Sequence, residues 1–128
     1  MLFNCWTEYH ARAIGHYFLR KYSLKNFKAK CHLEHLINYE FPYQFNYMVD
    51  TISKTDELYG KLYTLSHFFG RYAVWQHLYP EYFNDDLMNQ ICVNNPWMKE
   101  LYSFYIGNNT VQTFHNNIST MEQILEKI

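Results

Sequence analysis

The chain has 128 residues, 48% of them hydrophobic and 20% aromatic, and a formal net charge of −1. This length suits one domain with a real core, and this composition excludes an intrinsically disordered chain. The charge is uneven: residues 1–35 carry six Lys/Arg against two acids, and residues 81–128 carry two against six, a polarity that can steer a charged partner but most often marks solvated surface.

Every segment with a period has the helical one. The first helix is expected from about Trp6 to Tyr22, with Tyr9, Ala13 and Tyr17 on one line and Ile14, Phe18 and Tyr22 beside it. A basic stretch, Lys21 to Lys30, reads as a solvated connection. Leu33, Leu36 and Ile37 define a second helix over about Cys31–Tyr39, which Pro42 ends or redirects. Phe45, Met48, Val49 and Ile52 form a third, followed by a helix-start signal, Ser53-Lys54-Thr55-Asp56. Leu58, Leu62, Leu65, Phe69 and Tyr72 then line one face, and Ser66 offers a start for a second helix within that run. Pro80 stops it.

Asn84-Asp85-Asp86 caps a helix holding Leu87 and Ile91, where the acids suit the positive end of the helix dipole. Pro96 fits the first turn of a Trp97–Tyr105 helix, with Leu101 and Phe104 facing inward. Gly107-Asn108-Asn109 is a turn. Ser119-Thr120-Met121-Glu122 reads as a capping box ahead of Ile124, Leu125 and Ile128. The fold class is therefore all-α: a single-domain, irregular bundle of seven or eight helices.

Catalytic chemistry finds little foothold. Cys5, Cys31 and Cys92 form no C-x-x-C pair and read as three buried, reduced thiols of a cytosolic protein. Among seven histidines, Cys31, His32, Glu34 and His35 lie closest together, but three or four convergent ligands at a defined spacing are missing, so no metal or other cofactor is expected. There is no Gly-rich phosphate loop and no G-x-S-x-G turn, which argues against an enzyme. Arg20, Lys21, Lys25, Lys28 and Lys30, interleaved with Tyr22 and Phe27, make a small basic footprint without a nucleic-acid motif, so nucleic acid is not expected as a partner. No signal peptide precedes Thr7-Glu8 and no apolar stretch approaches bilayer length, which leads to the expectation of a soluble, cytoplasmic protein without a membrane anchor.

One stretch is more specific. Leu62 to Val74 runs through Phe68-Phe69-Gly70-Arg71, an aromatic-Gly-Arg step between apolar helical segments. This resembles homology motif 1 of the Bcl-2 family, Asn-Trp-Gly-Arg, at the join of the groove helix and the central helix. Ala11 to Leu19 looks like that family's first helix, Trp97-Met98-Lys99-Glu100-Leu101 like its sixth, and Asn109-Thr110-Val111-Gln112-Thr113-Phe114 is similar to homology motif 2, Gly-Gly-Trp-x-x-Phe. The departures are Phe68-Phe69 for Asn-Trp, Asn109-Thr110-Val111 for Gly-Gly-Trp, a central helix shortened by Pro80, a missing C-terminal tail, and a death motif barely recognisable in Leu33–Phe41. They resemble those of compact viral homologues.

The resemblance implies a Bcl-2-like bundle with a central hydrophobic helix and a surface groove. It implies a viral, prosurvival protein that inhibits host-cell apoptosis from the cytosol by binding the homology 3 helices of pro-apoptotic family members. The partner-helix groove would lie between the helices around Leu36–Met48 and Leu58–Val74, with Leu36, Phe45, Met48, Leu58, Leu62, Leu65, Phe69 and Val74 as apolar wall. Gly70 would be the close-approach point and Arg71 the forked cation for the partner's acid. Taken singly, each of those apolar residues is better read as ordinary core. Self-association into a homodimer is another way to cover the aromatic surface. The alternative is an unrelated small helical inhibitor, viral or phage, of another host factor.

Overall fold

The computed structural model describes residues 1–26 and 29–128, so Phe27 and Lys28 of the basic stretch lie outside the described residues. Helices account for nearly all regular structure, and no strand occurs among the described residues. The chain divides into two compact units, Met1–Val74 and Trp75–Ile128, and the boundary falls within one continuous helix.

In the first unit, α1 spans Leu2–Asn26, longer at both ends than the apolar period suggested. Its C-terminal turns are extended by local capping: Ser23 Oγ donates to the Leu19 carbonyl at 3.0 Å and Asn26 Nδ2 to that of Tyr22 at 2.8 Å. The basic residues up to Lys25 are thus helical rather than a connection. Next, α2 (Ala29–His35), a π-helical segment (Leu36–Glu40) and α3 (Phe41–Lys54) run on without a break. The wide turn is closed by Phe41 N–H donating to the Leu36 carbonyl, one residue further back than an α-helix would reach. Pro42, which has no N–H to give, sits in the first turn of α3, so it redirects the helix instead of ending it. Thr55 then adopts an extended conformation, and α4 begins at Leu58.

Helix α4 (Leu58–Leu78) passes uninterrupted through both Ser66 and Gly70-Arg71. Ser66 starts no second helix. Its buried hydroxyl donates to the Leu62 carbonyl at 2.7 Å, the back-bond that lets a serine sit inside a helix. Leu62, Leu65, Phe68, Phe69, Tyr72 and Val74 of this helix are buried with Cys5, Trp6 and Tyr9 of α1, Leu36 of the π segment and Met48 of α3. Phe41, Phe45, Phe68 and Tyr72 form one ring cluster with centroids 6.0–6.5 Å apart.

In the second unit, Trp75 packs on Phe83 at 5.3 Å. Asn84 caps α5 (Asp85–Ile91) by accepting from Leu87 N–H at 3.1 Å, and Pro96 sits in the first turn of α6 (Pro96–Gly107). The capping box belongs to α7 (Val111–Asn116), where Thr110 and Thr113 bond reciprocally, and not to Ser119–Glu122; α8 (Ile118–Leu125) starts after Asn117. Cys5 and Cys92 are buried and burial raises each thiol to about 11, but Cys31 is exposed, so the expectation of three buried thiols holds for two. No described helix is long and apolar enough to cross a membrane.

Candidate functional site: a cationic cavity in the first unit

Glu8, Arg12, His16 and Arg20 recur every four residues and form one polar line along the inner side of α1. Each meets a polar counterpart or a cavity. His67 Nε2 and Glu8 Oε2 are 2.9 Å apart, and Arg71 Nε donates to His16 Nε2 at 3.2 Å. Arg20, only 5% exposed, forms a two-pronged ion pair with Glu40 and lies 3.3 Å from His32 Nε2. His35 Nε2 approaches Glu40 at 3.6 Å. The π segment ends on Glu40, so the wide turn is what presents this carboxylate to α1.

Arg12 opens instead onto a cavity of about 510 Å³ that it shares with Tyr43, Gln44, Tyr47 and Met48 of α3 and with Tyr63, Thr64, His67, Phe68 and Arg71 of α4. Two guanidinium groups therefore line one wall. Among the described residues, neither forms an ion pair with a carboxylate, because Glu40 is held by Arg20 and Glu8 by His67. Arg71 feels this directly: burial lowers its pKa first, and the positive charges of Arg12 and Arg20 lower it further, against a smaller opposing pull from Glu40 and Tyr47. Burial also pushes His16 down to about 4, helped by Arg71, Arg20 and Arg12, so this imidazole is neutral at physiological pH. With Nε2 accepting from Arg71, its proton sits on Nδ1, which is buried without a partner. Burial lowers His67 too, against the pull of the Glu8 hydrogen bond. Gln44 Oε1, another cavity-lining group, is buried and unpartnered.

Of the residues expected to form the groove, the cavity gathers two, Met48 and Arg71. Leu36, Leu62, Leu65, Phe69 and Val74 are buried in the core, while Phe45 and Leu58 are half-buried. Gly70 does serve a close approach, but of the protein's own first helix: a Cβ there would stand 2.6 Å from Tyr9 O and 2.8 Å from Arg12 Cβ. Nor does it lie at a join between helices. That join is at residues 55–57, and the aromatic-Gly-cation triplet beside it is Tyr59-Gly60-Lys61, in the first turn of α4. There, a Cβ on Gly60 would stand 2.7 Å from Thr55 Cγ2.

Sequence reasoning missed Arg12, Tyr43, Tyr47, Tyr63 and His67. A signal for the first was present: a four-residue polar period, Glu8-Arg12-His16-Arg20, on a helix otherwise rich in apolar residues. His32 and His35, candidates for metal ligation, instead face Arg20 and Glu40, and the described residues contain no cluster of three or more His, Cys, Asp or Glu arranged to hold a metal. No family model, curated protein or solved structure matches the chain.

Proposed function

We propose that the protein is a non-enzymatic binding module that captures an acidic, apolar-striped helix of a partner protein. The observation that carries this reading is the pair Arg12 and Arg71, half-buried on a cavity wall without a carboxylate partner among the described residues. A partly desolvated cation with no carboxylate in direct contact is destabilising, and an incoming carboxylate relieves that cost with a charge-assisted, forked hydrogen bond. Exposed Tyr43 and Tyr47, with half-buried Tyr63, supply aromatic surface for the helix that carries the acid, over a floor of buried Met48 and Phe68.

The resemblance to Bcl-2 homologues names the partners: the homology 3 helices of pro-apoptotic proteins, sequestered in the cytosol to hold off apoptosis. It is supported by the all-helical architecture and by a cavity whose walls include the two expected groove segments. A second reading, an inhibitor of another host factor, draws on the burial of the apolar residues expected to line the groove and on α1 filling the space beside Gly70.

Titration of fluorescent homology 3 peptides tests both. Micromolar or tighter binding is expected, weakened at least tenfold by Arg71→Glu, since a reversed charge at a desolvated pair costs more than about 1.4 kcal/mol. Lys61→Glu is the comparison arm. If Lys61→Glu weakens binding and Arg71→Glu does not, the ionic anchor belongs to the true helix join. If wild-type protein binds no peptide, the family reading fails and the second reading stands.

A further inference from the structure

The outward face of α1 carries a second surface, independent of the cavity. Ile14, Phe18 and Tyr22 recur every four residues, and Leu19 stands beside them; they are 58%, 65%, 62% and 53% exposed. With exposed Ala11 and Gly15 between them, they make an apolar sector roughly 140° wide at about 100° per residue. Isolated exposed hydrophobics are ordinary, but a stripe along successive turns is not. Lys21, whose Nζ donates to Tyr17 Oη at 3.3 Å, borders the Ile14 edge, Lys25 falls within the sector beside it, and exposed Lys30 follows at the start of α2. From Tyr9 to Leu33 the chain has no Asp or Glu. Over residues 9–33 apolar side chains and cations thus share one face without an acid; Glu8, one turn before Ala11 on the Leu19 edge, is engaged by His67.

We infer that this face of α1 docks on an anionic lipid bilayer surface, lying in the interface plane without crossing it. The charge pattern selects this occupant. A second copy pairing this face with itself would set lysines against lysines, whereas an anionic headgroup layer offers a continuous counter-charge along the whole stripe. Phe18, Leu19 and Ile14 would enter the acyl boundary, Tyr22 would sit at headgroup level, and the lysine stems would reach outward to the phosphates. Each basic residue near such a surface contributes about a fivefold gain in partitioning, from about 1 kcal/mol per charge. The helix needs no new folding to do this, because its other face is already packed.

Co-sedimentation of the whole chain with phosphatidylcholine vesicles, with and without phosphatidylserine, tests the inference. Binding is expected only to the phosphatidylserine-containing vesicles and should decline as salt is raised. Lys21→Ala with Lys25→Ala should weaken partitioning by roughly 25-fold, two lysines at about fivefold each. Phe18→Ser with Tyr22→Ser should abolish sedimentation while leaving the circular dichroism spectrum and thermal melt unchanged, since both side chains are exposed. Equal sedimentation with both vesicle types, or none with either, overturns the inference. So does a dimer by light scattering that the Phe18→Ser, Tyr22→Ser protein loses while wild type ignores vesicles; the face would then pair two copies.

Discussion

The two units each contain a cavity, and the larger is the less promising. In the second unit a cavity of about 810 Å³ is lined by Lys99, Glu100, Asn108, Asn117, Lys127 and others. Its charged groups and asparagines are matched internally: Lys127 Nζ donates to both oxygens of Glu100 at 2.7 and 2.8 Å, Asn117 Nδ2 to Asn108 Oδ1 at 2.9 Å, and Lys99 to Asn89. In the first unit the smaller cavity keeps two guanidinium groups with no acid paired to them among the described residues. Volume says how much could fit; unmatched charge says what kind of group would be held.

The contrast extends to stability, and the largest expected effect tests it. Arg20→Ala removes one partner of a largely buried pair and leaves Glu40 facing a partly desolvated site, which should cost about 3 kcal/mol in chemical denaturation. Lys127→Ala removes an exposed pair in the second unit and should cost less than about 1 kcal/mol. Similar losses for the two would erase the distinction between the buried polar seam and the solvated one.

Two glycines of the first unit offer a finer test. Gly70→Ala places a methyl group against the backbone of α1 and should destabilise the fold by about 2 kcal/mol, an overpacking cost. Gly15→Ala, on the same α1 but with nothing within 4 Å, should stabilise it by about 0.5–1 kcal/mol through helix propensity. Thermal melts of the two proteins should therefore move in opposite directions.

A further effect, comparable to that of Gly15→Ala, is a pH dependence. His16 is held down at about 4 in the folded protein, against 6.5 for an ordinary imidazole, so the unfolded chain binds more protons between those values. Stability is then full above about pH 6.5 and declines as pH falls toward 4. His67 and His32, both lowered chiefly by burial, add to the same slope. Between about pH 7 and about pH 5 the loss should be about 1 kcal/mol after solvent screening, and His16→Gln should flatten it.

Much of the fold is written in local signals. Asn84, Pro96 and Pro80 act where their chemistry places them, because caps and helix breaks depend on a few neighbouring backbone groups. What local signals cannot carry is whether a stop is obeyed. Ser66 and Gly70 both read as interruptions, yet α4 continues through them, since burial against α1 outweighs two weak breakers. The same limit applies to the site. Leu62, Leu65 and Phe69 share a face by period, but whether that face meets a partner or the protein's own core depends on where α1 packs. Likewise Ile14, Phe18 and Tyr22 look like core by spacing and are exposed, because the polar line of α1 takes the inward side.

That arrangement depends on the wide turn at Leu36–Glu40. A π segment holds one residue more than an α-helix needs to cover the same length, and the wider turn rotates less per residue. His32 and Glu40, eight positions apart, are thereby brought to the same guanidinium, that of Arg20. Loss of a single codon in this stretch would leave the helix intact and even more regular, but it would swing its two halves out of phase. A helix length tolerated by the backbone is here fixed by one arginine on another helix.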